Sequence, residues 1–253
     1  MNQLPWTRPY AERITETPRE KLVFLQKVYG LFTASLATAA VGAVIALYAG
    51  AGVSQVTLQV GAERLVVPPL VAFFLNHPIM GMLIPFGALM AASFLRFKPG
   101  INLVALFGAT FISGISLGPT LFWAQLMATG GSSLSASPIR DAFLLTVMGF
   151  GGLTGYAMVS KRDFSFLRGF VSIGLFVLLG AMLLNFFIGG EAFGLAIASV
   201  GVILFGAYVL YDTSRLLREE SRDAVGGALS LYLNFLNLFL FLLRILASGR
   251  RDD

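Results

Sequence analysis

An acidic residue stands inside an apolar run near the end of this chain. Asp212 belongs to the segment YVLYDTSRLL, and the run that this segment closes begins around Phe193. Tyr208, Asp212 and Arg215 are spaced i, i+4 and i+7, so on a helix they share one face. A carboxylate at mid-membrane costs roughly 2.5–3.5 kcal/mol on insertion scales and usually faces a bundle interior or a water-filled cavity. Asp212 is therefore either a functional acid within the membrane or half of an ion pair with Arg215 or Arg218 at the helix end.

A stripe of polar residues follows in the next apolar segment. Its members recur at steps of 4, 3, 4 and 3, which places them on one face of a helix: Ser230, Asn234, Asn237, Phe241 and Arg244. A helix that faced lipid all round would not carry two amides and a guanidinium along one side, so we predict that other helices enclose it. Asparagine side chains hydrogen-bond between membrane helices for about 0.6–2 kcal/mol. We prefer this packing role for Asn237, whereas for Asn234 both packing and function stay open.

The elements that position these residues are predicted to be membrane-spanning helices. The chain is 57% hydrophobic and 12% charged, whereas a typical soluble domain has about 25% charged residues. A spanning helix needs about 20 mostly apolar residues, and seven segments satisfy this: 27–49, 74–95, 101–123, 142–160, 166–188, 193–213 and 226–247. We therefore predict an all-α polytopic membrane protein, a seven-helix bundle over 25–248 with tails at 1–24 and 249–253. The longest connection, 50–73, is predicted to form a short hairpin or an interfacial stretch.

The basic residues predict how the bundle is oriented. With seven spans, thirteen of the 18 Lys and Arg residues lie on the side of the N-terminus and five on the other. The positive-inside rule then places the N-terminus in the cytosol. Arg250 and Arg251 are discordant, and they leave a six-span alternative in which the last segment dips into the membrane and returns. We favour seven spans because 224–247 is long enough to cross.

Several kinds of chemistry are excluded or disfavoured. The chain has no cysteine, which excludes thiol catalysis and cysteine-based metal sites, and we expect no bound cofactor. The basic residues border the apolar runs, so we expect no nucleic-acid partner. Ser116 in GISLG matches a serine-nucleophile motif, and its potential base is His77. The same glycines match the G-x-x-x-G close-packing pattern, as do Gly151 and Gly155. We prefer close packing and predict that the protein is not an enzyme.

Several stretches of the sequence resemble the Bax-inhibitor family, the seven-helix membrane proteins named for suppression of cell death. They are FLQKVYGLFTASL, GATFISGISLGP, SKRDFSFLRGF, and FGAYVLYDTSRLL with LYLNFLNLFLFLLRIL. The similarity covers nearly the whole chain after the N-terminal tail and suggests a bacterial-type member. It implies a bundle in which the last helix is central and the other six surround it.

The resemblance also implies a site. Family members with a pair of buried aspartates, on spans six and seven, resemble pH-sensitive calcium leaks, in which the pair and a nearby arginine hold a gate. The first aspartate matches Asp212, the second matches position 234, here Asn234, and the arginine matches Arg96. An amide cannot share a proton as a second carboxylate does. Calcium usually takes 6–8 oxygen ligands, so Asp212 with the Asn234 carbonyl oxygen would make a poor metal site.

Two main hypotheses follow, with the lipid bilayer as the common partner. The first is a low-flux, pH-modulated leak for calcium or another cation, with Asp212, Asn234 and their neighbours as ion path and pH sensor. The second is a non-transporting partner protein that modulates a membrane-bound protease or a stress or cell-death pathway, with the charged tail, 1–22, as its handle. An intramembrane hydrolase using Ser116 or Asp212 is a minor third. The short tail favours a bacterial cytoplasmic membrane.

Overall fold

The computed structural model of the chain describes residues 18–54, 56–60, 63–129, 137–160, 162–218 and 223–248. The regular elements of this described part are nine α-helices, two short strands and one short 3-10 helix, Ala51–Val53. In chain order the α-helices and strands are α1 (Pro18–Tyr48), β1 (Thr57–Val60), β2 (Glu63–Val66), α2 (Pro69–Asn76), α3 (Pro78–Leu95), α4 (Ile101–Ser116), α5 (Gly118–Thr129), α6 (Pro138–Ser160), α7 (Leu167–Ile188), α8 (Glu191–Arg218) and α9 (Ala224–Ser248). The predicted tail, 1–24, lies mostly outside the described residues, and its last part belongs to α1.

Within the described residues, seven helical stretches are long and apolar enough to cross a membrane, so the predicted seven-helix bundle is confirmed. They are Arg19–Tyr48, Pro78–Leu95, Ile101–Leu126, Pro138–Ser160, Leu167–Ile188, Glu191–Arg218 and Ala224–Ser248. The third of them joins α4 and α5, which follow one another across Leu117 alone. The last, α9, runs unbroken for 25 residues, or about 37 Å at 1.5 Å per residue. That length exceeds the roughly 30 Å hydrocarbon core and favours seven spans over six.

The last helix lies at the centre of the bundle. Half of the spanning segment of α9 is buried, the largest share of the seven. It packs mainly against α8, α6 and α1, and more lightly against α4 and α5. Its fully buried side chains include Leu231 and Tyr232, neither of which exposes any surface. The polar stripe predicted to be enclosed is therefore carried by the most enclosed helix.

The other six helices do not share this centre equally. The spanning segment of α3 is only 6% buried and that of α7 only 11%. Among the described contacts, α3 packs chiefly on α4 and α7 chiefly on α8. Both helices are apolar around most of their circumference, and large side chains such as Phe176 and Phe186 stay exposed for lipid. The resemblance implied that the other six spans surround α9, whereas in the described structure α3 and α7 lie outside the helices that pack against it.

The predicted close-packing glycine lies in the seam between α1 and α4. A Cβ atom on Gly114 would collide with the backbone of Ala39, and one on Gly42 would collide with the carbonyl oxygen of Phe111. Without side chains at these positions the two helix backbones approach directly, as small residues permit in membranes. GISLG is therefore a packing element of α4 and the following turn.

The prediction that Gly151 and Gly155 form a second close-packing site is wrong. Gly151 and Gly155, both on α6, have nothing within 4 Å of the position that a Cβ atom would occupy. Their spacing matches the same pattern, but they do not lie in a helix–helix seam of this chain.

The long connection after α1 forms a hairpin, which was one of its two predicted forms. Strands β1 and β2 pair antiparallel, with Thr57 opposite Val66 and Val60 opposite Glu63. The short helix α2 follows, and Val67 and Val71 are buried in a small apolar cluster beneath it. The hairpin lies between the first span and the second.

Candidate functional site

Three consecutive polar residues are buried on one turn of α8. Asp212, Thr213 and Ser214 expose 5%, 1% and 2% of their surfaces. Successive residues on a helix point about 100° apart, so the three side chains point toward different neighbours. Apolar residues surround this turn, with Val209 before it and Leu216 after it, both buried. The turn therefore carries a concentration of polar groups inside an otherwise apolar bundle.

Asp212 is hydrogen-bonded to the central helix. The amide nitrogen Nδ2 of Asn234 donates to Oδ2 of Asp212 at 2.8 Å, and Asn234 is 4% exposed. A hydrogen bond to an ionised group is stronger than one between neutral groups. A buried carboxylate without a hydrogen-bond donor destabilises the folded protein. The two predicted residues are thus brought together, as a carboxylate–amide pair between α8 and α9.

Two other predicted residues flank the pair on α8. Nη1 of Arg215 lies 3.9 Å from Oδ1 of Asp212, one helical turn away. Tyr208 is close enough to Asp212 for an electrostatic interaction, and its ring stacks on Phe205 with centroids 5.6 Å apart. Asp212 therefore has an arginine partner on its own helix and a polar partner across the interface.

Arg218 contacts the loop between α6 and α7. Its Nε lies 3.7 Å from Oδ1 of Asp163, and the backbone N–H of Phe164 donates to Oγ of Ser214 at 3.2 Å. The backbone N–H of Ser165 donates to Asp163 and lowers the pKa of that carboxyl group, and Arg218 contributes in the same direction. Because the pKa is lowered, this contact is lost only as the pH falls below the usual range for aspartate.

The arginine predicted from span two has a different acidic neighbour. Nε of Arg96, which follows α3, lies 3.2 Å from Oδ2 of Asp223. Asp223 precedes α9, and its Oδ1 accepts the backbone N–H of Gly226 at 2.8 Å. This is an N-cap, which satisfies one of the free donors at a helix start. Arg96 therefore acts at the first turn of the central helix, and Arg215 is the arginine beside Asp212.

The remaining members of the polar stripe have separate contacts. Nδ2 of Asn237 donates to the backbone oxygen of Leu233 at 2.7 Å. That bond lies within α9, so the expected interhelical bond from this nitrogen is not formed. Toward the far end of α9, the guanidinium of Arg244 lies against Gly194.

Phe241 also packs against a glycine of α8. It is 7% exposed, and a Cβ atom on Gly201 would fall 2.6 Å from its ring. Two glycines of α8 therefore make room for the stripe on α9.

The described residues provide few ligands for a metal ion. No group of three or more His, Asp or Glu side chains comes together within them. The chemistry available at Asp212 is one carboxylate, one amide and one nearby guanidinium, whereas calcium prefers several charged oxygens. An ion at this point would keep most of its hydration water.

The serine and histidine singled out by sequence are each bound to their own helix. Oγ of Ser116 donates to the backbone oxygen of Ile112 at 3.0 Å. Nδ1 of His77 lies 3.0 Å from the backbone oxygen of Phe73, and its ring stacks on the ring of Phe73. No hydrogen bond joins Ser116 to His77 in the described structure. The arrangement of a nucleophile beside its base is not formed.

Some residues of this region were missed by the sequence analysis. Three residues lie in or near the charged segment after span six: Thr213, Ser214 and Asp223. The composition of that segment is typical of the end of a helix. The signal that could have found Asp223 is an acidic residue three positions before Gly226, at the start of an apolar helix. The two hydroxyl residues carry no such signal, because serine and threonine occur on any face of a membrane helix.

The fold and the site together define a class of protein. It is an integral membrane protein of seven spans whose central helix is hydrogen-bonded to a buried carboxylate on the preceding span. The family described as "Inhibitor of apoptosis-promoting Bax1" matches residues 22–251. The chain belongs to this Bax inhibitor family, and the resemblance drawn from the sequence is confirmed.

Relatives of this chain occur in bacteria and in a yeast. An uncharacterised protein of Campylobacter jejuni is 35% identical over 232 residues, which cover 90% of each chain. An uncharacterised membrane protein of Vibrio cholerae is 33% identical over the whole length of both. The protein named Bax inhibitor 1 in Schizosaccharomyces pombe is 30% identical, covering 100% of this chain and 85% of its own.

Proposed function

We propose that this protein is a low-flux, pH-sensitive leak for cations, with calcium as the transported ion. The observation that carries the proposal is the buried 2.8 Å hydrogen bond between Asn234 and Asp212. It joins α8 to the central helix at a carboxylate, and intramembrane carboxylates mark ion or proton pathways by default. The excess of basic residues on its side supports a cytosolic N-terminus, and the bacterial relatives support a bacterial membrane.

The bond between Asp212 and Asn234 holds the leak closed. Ionised Asp212 accepts from the amide of Asn234 and attracts Arg215, 3.9 Å away. Protonation of Asp212 removes the charge that both groups face, so α8 is held less firmly against α9. The polar face of α9, including Ser230, then becomes accessible to a hydrated cation. Tyr208, on the same face of α8, is a further titratable group near Asp212.

The test is calcium flux into proteoliposomes containing the full chain. Flux is measured from about pH 5 to 8, the window in which perturbed carboxylates titrate. We expect wild type to conduct more at the acid end, Asp212→Asn to lose this pH dependence, and Asn234→Asp to shift the profile. Ser199→Ala is the matched control, because Ser199 is an exposed residue of α8 whose hydroxyl is bonded within its own helix, and its profile should follow wild type.

Two results would count against the leak. If wild type passes no calcium at any pH while Asn234→Asp does, the fold supports conduction but this chain has lost it. If Asp212→Asn keeps both the flux and its pH profile, the Asp212–Asn234 pair is not the gate.

The second candidate function is a non-transporting partner of another membrane protein, such as a membrane-bound protease. It is favoured by one observation, the amide at Asn234, which leaves a single carboxylate where a proton-sharing pair would need two. The segment expected to bind the partner, 1–22, lies almost wholly outside the described residues.

This candidate is tested by co-purification in mild detergent. If the tail is the handle, deletion of residues 2–20 abolishes recovery of the partner, whereas Asp212→Asn does not. Recovery that survives the deletion argues against the tail, and recovery of no partner with the full chain argues against the candidate itself.

A further inference from the structure

A cavity lies where the first turns of α1 meet the start of α9. Its volume is about 320 Å³, and its lining residues are Arg19, Glu20, Val23, Phe24, Lys27 and Ala224. Ala224 is the first residue of α9 and is buried, and Phe24 packs against the main apolar core. The cavity therefore has an apolar floor that belongs to the bundle, and none of its lining residues takes part in the Asp212–Asn234 pair.

The rim of the cavity is charged and exposed. Arg19, Glu20 and Lys27 are all exposed, so the rim carries two basic groups and one acidic group. Arg19, Val23 and Lys27 recur at steps of four and share one face of α1. The Cα atoms of the two basic residues are separated by about 12 Å along the helix, a distance over which long side chains can turn toward one group lying above Val23. The rim is therefore suited to an anion.

This end of α1 extends to the depth of the lipid headgroups. The helix has 31 residues, or about 46 Å at 1.5 Å per residue, whereas the hydrocarbon core is roughly 30 Å thick. All four charged residues of α1 lie within its first ten positions, 18–27, so the excess length falls at this end. Leu22 and Val23 nevertheless each expose 56% of their surface beside the charges. The surface around the cavity thus combines basic and apolar groups at the membrane interface.

We propose that this cavity binds the headgroup of an anionic phospholipid. A phosphate accepts strong charge-assisted hydrogen bonds, and the arginine fork can bind two of its oxygens. The volume is at the lower end of the range for small-molecule sites, about 300–1,000 Å³, so it holds a headgroup and leaves the acyl chains outside. Those chains lie along the exposed Leu22 and Val23. A soluble phosphate would use the charges alone, and for this reason the lipid is the assigned ligand.

The bound lipid connects the first span to the central helix. Next to the cavity, a Cβ atom on Gly227 of α9 would lie 3.3 Å from the side chain of Val28, so the two helices already pack closely there. A headgroup held by Arg19 and Lys27 over Ala224 extends this contact to the membrane surface. The inference does not depend on whether the protein conducts ions.

The test is native mass spectrometry of the full chain in detergent, mixed with equal amounts of phosphatidylglycerol and phosphatidylcholine. The two lipids have the same acyl chains and a phosphate, but only the first has a net negative charge. A basic residue near an anionic lipid strengthens binding by a factor of about five, so we expect wild type to retain at least about fivefold more phosphatidylglycerol. The double variant Arg19→Gln with Lys27→Gln should retain the two lipids about equally.

A matched control separates the cavity from the general charge of the protein. Lys98→Gln with Arg168→Gln also removes two exposed basic residues, on the side of the membrane predicted for Arg19 and outside the cavity. This control should keep the wild-type preference. All of these positions are exposed, so both double variants should unfold at the wild-type temperature when no lipid is added. Added phosphatidylglycerol should raise the midpoint of thermal unfolding for wild type and the control only.

Glycerol phosphate separates a lipid from a soluble anion, because it has the phosphate without the acyl chains. A hundredfold excess should leave the bound phosphatidylglycerol in place. Displacement by this excess would assign the cavity to a soluble phosphate compound and overturn the proposal.

Three further outcomes overturn it. Equal retention of the two lipids by wild type would show that the site does not select a negative charge. An unchanged preference in the Arg19 and Lys27 variant would place the lipid elsewhere on the protein. An equal loss of preference in the control would show that the whole basic surface attracts the lipid and that the cavity does not bind it.

Discussion

At the scale of single residues, the pair of Asp212 and Asn234 is asymmetric. An amide can only donate its N–H groups to the carboxylate, so the direction of the 2.8 Å bond is set. A second carboxylate at position 234 would instead have to share a proton or repel Asp212. The amide therefore makes the junction between α8 and α9 a defined hydrogen bond rather than a titrating pair.

We predict that Asn234→Ala destabilises the protein more than Asn237→Ala. The first change leaves the buried carboxylate of Asp212 without its donor across the interface, at a cost of about 1–3 kcal/mol. The second removes only a bond within α9, and both changes raise helix propensity equally. Thermal unfolding in detergent, followed by circular dichroism, measures the difference. Equal shifts of the midpoint would contradict the assigned role of Asn234.

At the scale of elements, glycines decide how closely helices approach. Gly114 lies where α4 crosses α1, and a Cβ atom there would overlap the backbone of Ala39. Nearby in the same seam, the hydroxyls of Thr38 and Thr110 lie 2.7 Å apart. A close backbone approach brings these two short side chains into hydrogen-bonding distance. The seam thus combines small residues and a polar contact, which is how membrane helices associate.

Gly114→Ala should therefore destabilise the protein, and Gly108→Ala should not. Both glycines lie on α4, but nothing lies within 4 Å of a Cβ atom on Gly108. At an open helical position the alanine is worth roughly 0.5–1 kcal/mol in favour of folding, whereas at position 114 two backbones must separate. The comparison is made by measuring, for each variant in detergent, the fraction of protein that stays folded as the temperature is raised. A Gly114→Ala variant as stable as wild type would show that the close approach of α1 and α4 does not depend on Gly114.

The first turn of the central helix is held in two ways by one residue. Asp223 caps the backbone N–H of Gly226 and pairs with Arg96. The cap is local to α9, whereas the ion pair connects α9 to the end of α3.

We predict that Asp223→Asn costs less stability than Asp223→Ala. Asparagine is an equally good N-cap, and loss of a cap to alanine costs about 0.5–2 kcal/mol. The ion pair is partly exposed and contributes about 0–1 kcal/mol. Chemical unfolding of the two variants, each with and without Arg96→Met, separates the terms. If Asp223→Asn is as damaging as Asp223→Ala, the charge and not the cap stabilises this turn.

At the scale of the whole molecule, the layering of the helices places the polar groups away from lipid. The central α9 and its neighbour α8 are the two most buried spans, at 50% and 44%, and they carry Asp212 and Asn234. The outer helices α3 and α7 present large apolar side chains outward. A charge on α8 is tolerated in the bilayer because the interior of the bundle supplies its partners.

The orientation of the bundle is predicted from the distribution of basic residues and can be measured with single cysteines, since the chain has none. Lys98 follows span two and Thr57 precedes it, so the two lie on opposite sides of the membrane. We expect an impermeant maleimide to label Thr57→Cys in intact cells and to label Lys98→Cys only after permeabilisation. The reverse pattern would place the N-terminus outside and would also move the Asp223 cap to the outer surface.

Much of the architecture could be predicted from the amino-acid sequence. A run of about 20 apolar residues has few options in a bilayer other than a spanning helix, so seven spans followed directly. The stripe on α9 indicated an enclosed helix because its period matches one helical face. The family followed from stretches distributed along nearly the whole chain, and residues 22–251 match it.

The partners of the polar groups were decided only by the tertiary structure. Periodicity says which residues share a face of one helix, but it does not say how that face is rotated and shifted against the next helix. The family resemblance had already paired Asp212 with position 234, whereas only the packing brings Arg96 to Asp223 and Gly114 to the backbone of Ala39. It leaves Asn237 bonded within its own helix and Gly151 open, although their spacing matched the same rules. Contacts between distant segments depend on the packing of whole side-chain surfaces, which local sequence does not encode.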